Sequence, residues 1–524
     1  MIKKVTLLTT LLSVGTILTQ AQSVKDALII SQEFNNGTAR FKGLGGAQTA
    51  LGGDISSISG NPAGLGFFGQ SDFSVTGSYL NTKNKGSYFG ETNSQSKNNF
   101  GVDNAGIVLH MPTYRNGGNL DKGWLNFNVG VSYNKTNNFT NHLFYGGTNS
   151  NSTIVQSYTD LMYQDATWQE DFQDTYLVEP YGDASKGFFP ITREGDAKYQ
   201  QNELVETGYN SRTNLSFGGN YSNKFYVGVS FGFTSLRYDA SKHFGEYGWT
   251  KDAAAVAANN PNSVFLDPTN DANQYLDASY DLVDNYGYSS RGSGFDFKLG
   301  FIYKPKEDWN IGVTIQTPTW MTISDHLYTY KETSFYDDEN TDTRFGYNRL
   351  VIDPIDPTDY NVRTPFKFSL GATKFFSRGL ITADAEFVDY SSTRYREIDG
   401  MYMDNAYTRY IDDTNNGIKE TYKAAINARL GGEVLINSFL SGRAGVNYFG
   451  TPYKNADNSN YNGSLGLGVK LNSSLYLDLA VQHSILKYSE SPYVYDQEFW
   501  GTASPVADIT VNRTNAVLTL GAKF

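Results

Sequence analysis

"LNFNVGVSY", residues 125–133, places Leu125, Phe127, Val129, Val131 and Tyr133 on one side of an extended chain. Asn126, Asn128, Gly130 and Ser132 take the other side. Side chains of a strand alternate between two faces, so this period of two predicts a strand with one apolar and one polar or small face. The same pattern recurs. "FYVGVSFGF" (225–233), "FDFKLGFIY" (295–303), "FKFSLGATKF" (366–375) and "LYLDLAVQHSI" (475–485) all alternate in this way. Read along the whole chain, the pattern predicts fourteen strands, at 72–81, 103–112, 124–135, 208–222, 224–237, 292–304, 309–324, 364–376, 380–394, 419–435, 439–449, 461–471, 474–486 and 513–524.

The gaps between these strands alternate in length. The short ones are 222–223, 305–308, 377–379, 436–438 and 472–473, with 113–123 somewhat longer. The long ones are 82–102, 136–207, 238–291, 325–363, 395–418, 450–460 and 487–512. An even number of antiparallel strands, with short turns at one end and long loops at the other, is the pattern of a bacterial outer-membrane β-barrel. A soluble sandwich also alternates but has no reason to gather its long loops at one end. The predicted fold class is therefore all-β, a transmembrane antiparallel barrel of fourteen strands.

The N-terminus fits export. Lys3 and Lys4 precede an apolar run from Val5 to about Leu18, and Thr19-Gln20-Ala21 offers small residues for cleavage. Residues 1–21 are expected to be a signal peptide, since the apolar run is shorter than the ~20 residues of a spanning helix. The chain has no cysteine, which removes disulfides and thiolate metal sites. Its formal charge of −12 argues against a nucleic-acid partner.

Residues 22–71 precede the first strand. They carry Gly43, Gly45, Gly46, Gly52, Gly53, Gly60, Gly64 and Gly66 among many Ala and Ser residues. Small residues allow close backbone approach, and Pro62 stops a helix at its position. Fourteen strands enclose a wide lumen. The segment is expected to fold into that lumen as a plug, leaving 72–524 as the barrel with its loops. The strand faces opposite the apolar ones carry Asp296, Lys298, Lys367, Asp384, Glu386, Lys423, Arg429, Glu433, Arg443, Lys470 and Asp478. These predict cross-strand ion pairs in a hydrated interior. Arg443, Arg429 and Lys367 are the candidates for contact with an anionic head group.

Taken together, "FNNGTARFKGLGGAQTALGGDISSISGNPAGLGFF" (34–68), with its Gly-Gly-Ala at 45–47, Asp54 and Asn61-Pro62-Ala63-Gly64-Leu65, resembles the N-terminal region of the FadL-type outer-membrane transporters. "DWNIGVTIQTPTW", "TPFKFSLGATKFF", "ITADAEFVDYS" and "SGRAGVNYF" resemble strand blocks of the same family. The resemblance implies passive uptake of hydrophobic molecules such as long-chain fatty acids or toluene. It implies capture between extracellular loops, movement of the plug, and lateral exit through the barrel wall. It assigns Asn61, Pro62, Ala63 and Gly64 to the gate. The terminal Phe524, closing an alternating strand, resembles the signal read by barrel-assembly machinery. Expected partners are the hydrophobic ligand, outer-membrane lipid and lipopolysaccharide, and that machinery. No cofactor is expected.

Other readings leave traces in the sequence. The alanine-rich "KDAAAVAANN" (251–260) predicts a short helix ending near Pro261. Phe144, Tyr145, Tyr158, Trp168, Phe172, Phe188 and Phe189 could line a groove or pack the long loop onto itself. Asp267, Asp271, Asp277, Asp281 and Asp284 lack the spacing of a calcium loop. His483 and Ser484, as strand neighbours, point to opposite faces and cannot form a nucleophile–base pair, so no catalytic residues are expected. The rival functions are a general diffusion porin for small polar solutes and a structural or adhesive barrel acting through its loops.

Overall fold

A computed structural model describes residues 24–34, 37–114, 121–164, 168–337, 344–398 and 405–524. The signal-peptide expectation lies outside these residues. The barrel strands are β1 (Asp72–Tyr88), β2 (Glu91–Pro112), β3 (Trp124–Asn138), β4 (Lys198–Tyr221), β5 (Phe225–Trp249), β6 (Ser279–Lys306), β7 (Trp309–Gln316 continued by Trp320–Tyr336), β8 (Arg344–Arg363 continued by Lys367–Phe376), β9 (Gly379–Asp389), β10 (Ala424–Leu435), β11 (Leu440–Phe449), β12 (Asn460–Lys470), β13 (Leu475–Glu490) and β14 (Ala507–Lys523). Each pairs antiparallel with its neighbour. The barrel closes where β14 meets β1, from Asp72 opposite Lys523 to Ser87 opposite Asp508. Ser71 and Phe524 exchange backbone hydrogen bonds of 3.1 and 3.0 Å at that seam. Closure leaves no sheet edge to be desolvated in hydrocarbon.

The apolar faces point outward. Phe297, Leu299, Phe301, Leu465, Leu479 and Leu518 are all exposed on the outer wall. Aromatic rings mark both limits of this band. Trp124, Phe127 and Tyr221 cluster at the short-turn end, as do Phe225 and Tyr303. Phe295 with Trp320, and Tyr79 with Phe100, lie at the other. Two aromatic girdles around an apolar belt are the outer signature of a membrane barrel. Among the described residues no helix is long and apolar enough to cross a membrane; the strands do so.

The fourteen expected strands are present, but many run far past their expected outer ends. β6 is 28 residues long, whereas a crossing needs about 9–11. The expected loop 325–363 is largely the paired outer halves of β7 and β8. No lipid faces these extensions, so nothing forces their residues to alternate. Thr317-Pro318-Thr319 and Thr364-Pro365-Phe366 interrupt β7 and β8 at adjacent positions. A proline lacks the N–H that a ladder needs. Thr364 N donates to Thr319 O at 3.0 Å across the two breaks, which keeps the sheet joined. The expected strand 419–435 begins only at Ala424, because helix Asn405–Thr421 occupies the loop before it.

Two further layers complete the molecule. A cap at the long-loop end rises from 150–164, 168–196, 250–278 and 491–506. Its core includes Tyr158, Leu161, Met162, Trp168, Phe172, Phe189, Phe265, Tyr280 and Tyr493. Tyr158 stacks on Phe172 at 4.6 Å. The predicted alanine helix is there, Ala253–Asn259, with Asp252 capping Ala255 N at 2.7 Å. The second layer is the N-terminal segment inside the barrel.

Candidate functional site: the hatch and the open ladder beside it

The segment before β1 begins with helix α1 (Val24–Ser31). Its Ala27 and Ile30 are buried among Tyr288, Tyr360, Tyr395, Ile411 and Ile418 in the upper lumen. Below it, helix α2 (Ala39–Gly43) and two 3-10 turns, Ile55–Ile58 and Pro62–Phe67, form a compact hatch. The hatch has few large side chains. It fits because glycines on the inner wall receive its backbone. A Cβ built at Gly106, Gly130, Gly218, Gly228, Gly300, Gly312 or Gly445 would lie closer than 3.0 Å to a hatch atom. Gly45 (φ 64°) and Gly53 (φ 74°) supply left-handed turns within the hatch itself.

The four expected gate residues come together at one turn. Asn61 Oδ1 accepts from Ala63 N at 3.0 Å, and its Nδ2 donates to Thr49 O at 2.5 Å. Pro62 occupies the first turn position, where its missing N–H costs nothing. Gly64 N donates to Asn61 O at 2.9 Å. Ala63 is wholly buried. This turn rests on β4, β5 and β6 at Gly218, Gly228 and Gly300.

Wall side chains then hold hatch carbonyls and amides. Asn128 Nδ2 donates to Leu65 O at 2.6 Å, Ser216 Oγ to Ile58 O at 2.7 Å, and Asn310 Nδ2 to Ala50 O at 3.1 Å. Asp384 Oδ2 accepts from Gln48 N at 2.7 Å and Thr49 N at 2.8 Å. Ala39 N donates to Thr519 Oγ1 at 2.7 Å. Lys298 Nζ donates to Ser59 O.

Ion pairs add to these ties, and the three predicted head-group cations all belong to them. Arg443 pairs with Glu433 at 2.6 Å and with Asp478, while Arg40 of the hatch forks onto the same Glu433 at 2.9 and 3.0 Å. Arg429 pairs with Glu386 at 2.8 Å. Lys367 pairs with Glu33, on the strap between α1 and α2, at 2.9 Å. Glu33 also accepts from Arg212 at 2.6 Å, and Arg212 holds Asp296 at 3.1 Å. Arg212 and Glu33 were not singled out from sequence. Arg212 does sit on the polar face of a predicted strand, but Glu33 lies in no periodic segment. Lys42, buried, meets Asp103 at 2.6 Å, and Lys135 stands 3.6 Å from the same carboxylate.

That last cluster marks a break in the wall. The β2–β3 ladder runs from Pro112 opposite Asn126 to Asn104 opposite Asn134 and stops. Beyond Asn104, β2 pairs with β1, while β3 from Lys135 to Asn138 pairs with β4. The chain after β3 then turns behind the β1–β2 hairpin, where Asn84 Nδ2 donates to His142 O at 2.6 Å. Side chains close the gap: Asn138 Nδ2 reaches Asn99 Oδ1 at 3.1 Å, and Lys135 and Asp103 meet across it. The strap also uses the freed edge, with Phe34 N donating to Thr136 O at 2.9 Å.

Other sequence candidates resolve simply. Tyr158, Trp168, Phe172 and Phe189 are core residues of the cap, with Phe188 packed against them. Tyr145 belongs to a separate cluster with Tyr88 and Leu143. They pack the loop rather than line an open groove. The acidic run is dispersed: Asp277 pairs with Arg193, Asp284 with Lys331, and Asp267 closes a turn onto Thr269. His483 faces outward against Thr514.

No protein-family model and no curated protein sequence matches the chain. Solved structures do. A FadL homologue from Pseudomonas aeruginosa superposes with a TM-score of 0.51 at 15% identity, covering 94% of this chain and all of that one. The toluene transporters TodX from P. putida and TbuX from Ralstonia pickettii both give TM-scores of 0.47 at 13% and 15% identity, each covering 94% of this chain and 99% of theirs. With its closed fourteen-stranded wall and N-terminal hatch, the chain has the FadL-type fold.

Proposed function

We propose that this protein carries hydrophobic molecules, long-chain fatty acids among them, passively inward across the bacterial outer membrane. The observation that carries the reading is the pairing of a hatch with an opened β2–β3 ladder at the same level of the wall. A plug in a continuous wall could only open an axial pore. A plug whose strap and Lys42 brace an unpaired stretch of wall can open a side door as it moves. An apolar solute leaving sideways enters lipid and never has to cross water. Each Å² of apolar surface kept from water is worth about 25 cal/mol, so a side exit avoids a large barrier that an axial exit would raise.

Capture begins at the extracellular end, and the hatch turn Asn61–Gly64 is the element that moves. Lys367 is the strongest of the three head-group candidates. Its present counter-ion, Glu33, belongs to the movable N-terminal strap, whereas the partners of Arg429 and Arg443 include fixed wall carboxylates. A ligand carboxylate that takes the place of Glu33 beside Lys367 and Arg212 frees the strap. No covalent step is involved. Recognition of Phe524 by assembly machinery belongs to the same proposal; its side chain is 67% exposed beyond the last strand.

The test is to purify the protein from outer membranes in mild detergent and identify co-purifying molecules by mass spectrometry, with an unrelated barrel as control. Enriched fatty acid or another apolar compound supports the proposal. An empty, conducting barrel contradicts it and favours a porin.

A further inference from the structure

The outer wall carries an unneutralised basic patch just above the apolar belt. Lys83 and Lys85 of β1 and Lys487 of β13 all face outward and are exposed. In register, Thr510 of β14 lies directly between Lys85 and Lys487, and Asn512 lies beside Lys83. Strands stand about 4.8 Å apart, so the two lysines flanking Thr510 have backbones ~10 Å apart, and Lys83 lies ~7 Å below Lys85. None of the three has a carboxylate within ion-pair distance among the described residues. The nearest acidic group in the register is Asp508, one pair further out, and it accepts from Ser489 Oγ at 2.7 Å. The paired arginines of β5 and β6 are different: Arg237 and Arg291 share Asp239, at 3.8 and 2.6 Å.

The surroundings are those of a sugar head group. Below and beside the lysines stand outward-facing Asn81, Asn98, Thr514 and His483, with the exposed Ile485 between His483 and Lys487, and exposed Ser94 and Ser96 lie on β2. We infer that Lys83, Lys85 and Lys487 form a docking site for a phosphorylated glycolipid of the outer leaflet. The lysines take its phosphates, the neighbouring amides and hydroxyls take its sugar, and its acyl chains lie on Leu479, Val481, Leu518 and Tyr79. This rests on the outer-membrane location of the barrel and not on what the barrel transports, so the two can fail separately.

The experiment is native mass spectrometry of the detergent-purified full chain with added bisphosphorylated lipid A, lipid A stripped of its phosphates, and phosphatidylglycerol. The expected result is retention of bisphosphorylated lipid A at least tenfold above both other lipids. The K83Q/K85Q/K487Q variant should lose that preference, while R237Q/R291Q keeps it. Unchanged heat-modifiable mobility on gels certifies the fold of each variant. Equal retention of the phosphate-free lipid by the unaltered protein, equal retention of phosphatidylglycerol, or an undiminished preference in the folded triple-lysine variant would each overturn the site.

Discussion

The hatch and the cap at the long-loop end both fill space that the barrel leaves open, yet they are held in different proportions by apolar packing and polar ties. The cap is an aromatic core: Trp168, Phe172, Phe189, Phe265 and Tyr280 are each at most 2% exposed and belong to one buried cluster. At its centre the buried Glu246 takes donors from Ile154 N, Gln200 Nε2, Tyr280 Oη and Thr153 Oγ1. The hatch makes several small apolar contacts, Ile55, Ile58, Leu65 and Phe68 with Val108, Leu44 and Leu51 with Leu380, and Phe67 stacked on Tyr226, and is tied to the wall besides by many hydrogen bonds and ion pairs. As the hatch shifts, polar ties can be replaced by ties to water, and a typical hydrogen bond contributes only about 1 kcal/mol net. Buried aromatic area cannot be exchanged in that way. On the proposed function, the difference separates an element that moves from one that stays.

The largest expected effect breaks the hatch alone. Deleting 40–66, or filling the receiving wall with Gly312→Val and Gly445→Val, should turn a closed barrel into a conducting one in planar bilayers while the cap keeps its protease resistance. The reverse experiment is Trp168→Ala with Phe172→Ala. Each large-to-small change in a packed core costs about 3–5 kcal/mol. Limited proteolysis should then cut the cap between 150 and 196, with conductance still at background.

Legibility from sequence divides along the same line. The barrel was readable because lipid imposes an alternation on every crossing strand, and the hatch because close approach demands runs of small residues around Asn61-Pro62. The outer halves of β6, β7 and β8 were not readable, since neither face of them meets lipid. The cap's aromatics were visible but ambiguous: a loop core and a ligand groove use the same side chains. Arg443, Arg429 and Lys367 stand in ion pairs whose counter-ions lie on other elements, and no spacing along the chain reports that Glu33 reaches Lys367.

Smaller effects sharpen the contrast. Glu33→Gln removes the counter-ion of Lys367 and one of the two carboxylates held by Arg212, but leaves the hatch turn in place. It should loosen the strap by about 1–3 kcal/mol and raise fatty-acid uptake severalfold, with Trp168 fluorescence in the cap unchanged. The smallest effect is a pH dependence confined to the cap. Burial raises the pKa of Asp160, which accepts from Trp500 Nε1 at 2.8 Å, and that of Glu179. A carboxyl whose folded pKa lies above its unfolded value contributes stability at low pH and loses it as pH rises through the folded pKa. Cap melting followed by tryptophan fluorescence should therefore fall slightly as pH rises out of the acidic range, and Asp160→Asn should flatten part of that slope.

Under the proposed function, transport requires the hatch to leave its wall. The chain contains no cysteine, so an engineered pair, Ala39→Cys with Thr519→Cys, can tether the hatch to β14 without competing thiols. Uptake of a labelled long-chain fatty acid by cells carrying this variant should stop under oxidant and return on reduction. Equal uptake in the oxidised and reduced states, with the cross-link verified by mass spectrometry, would contradict the account.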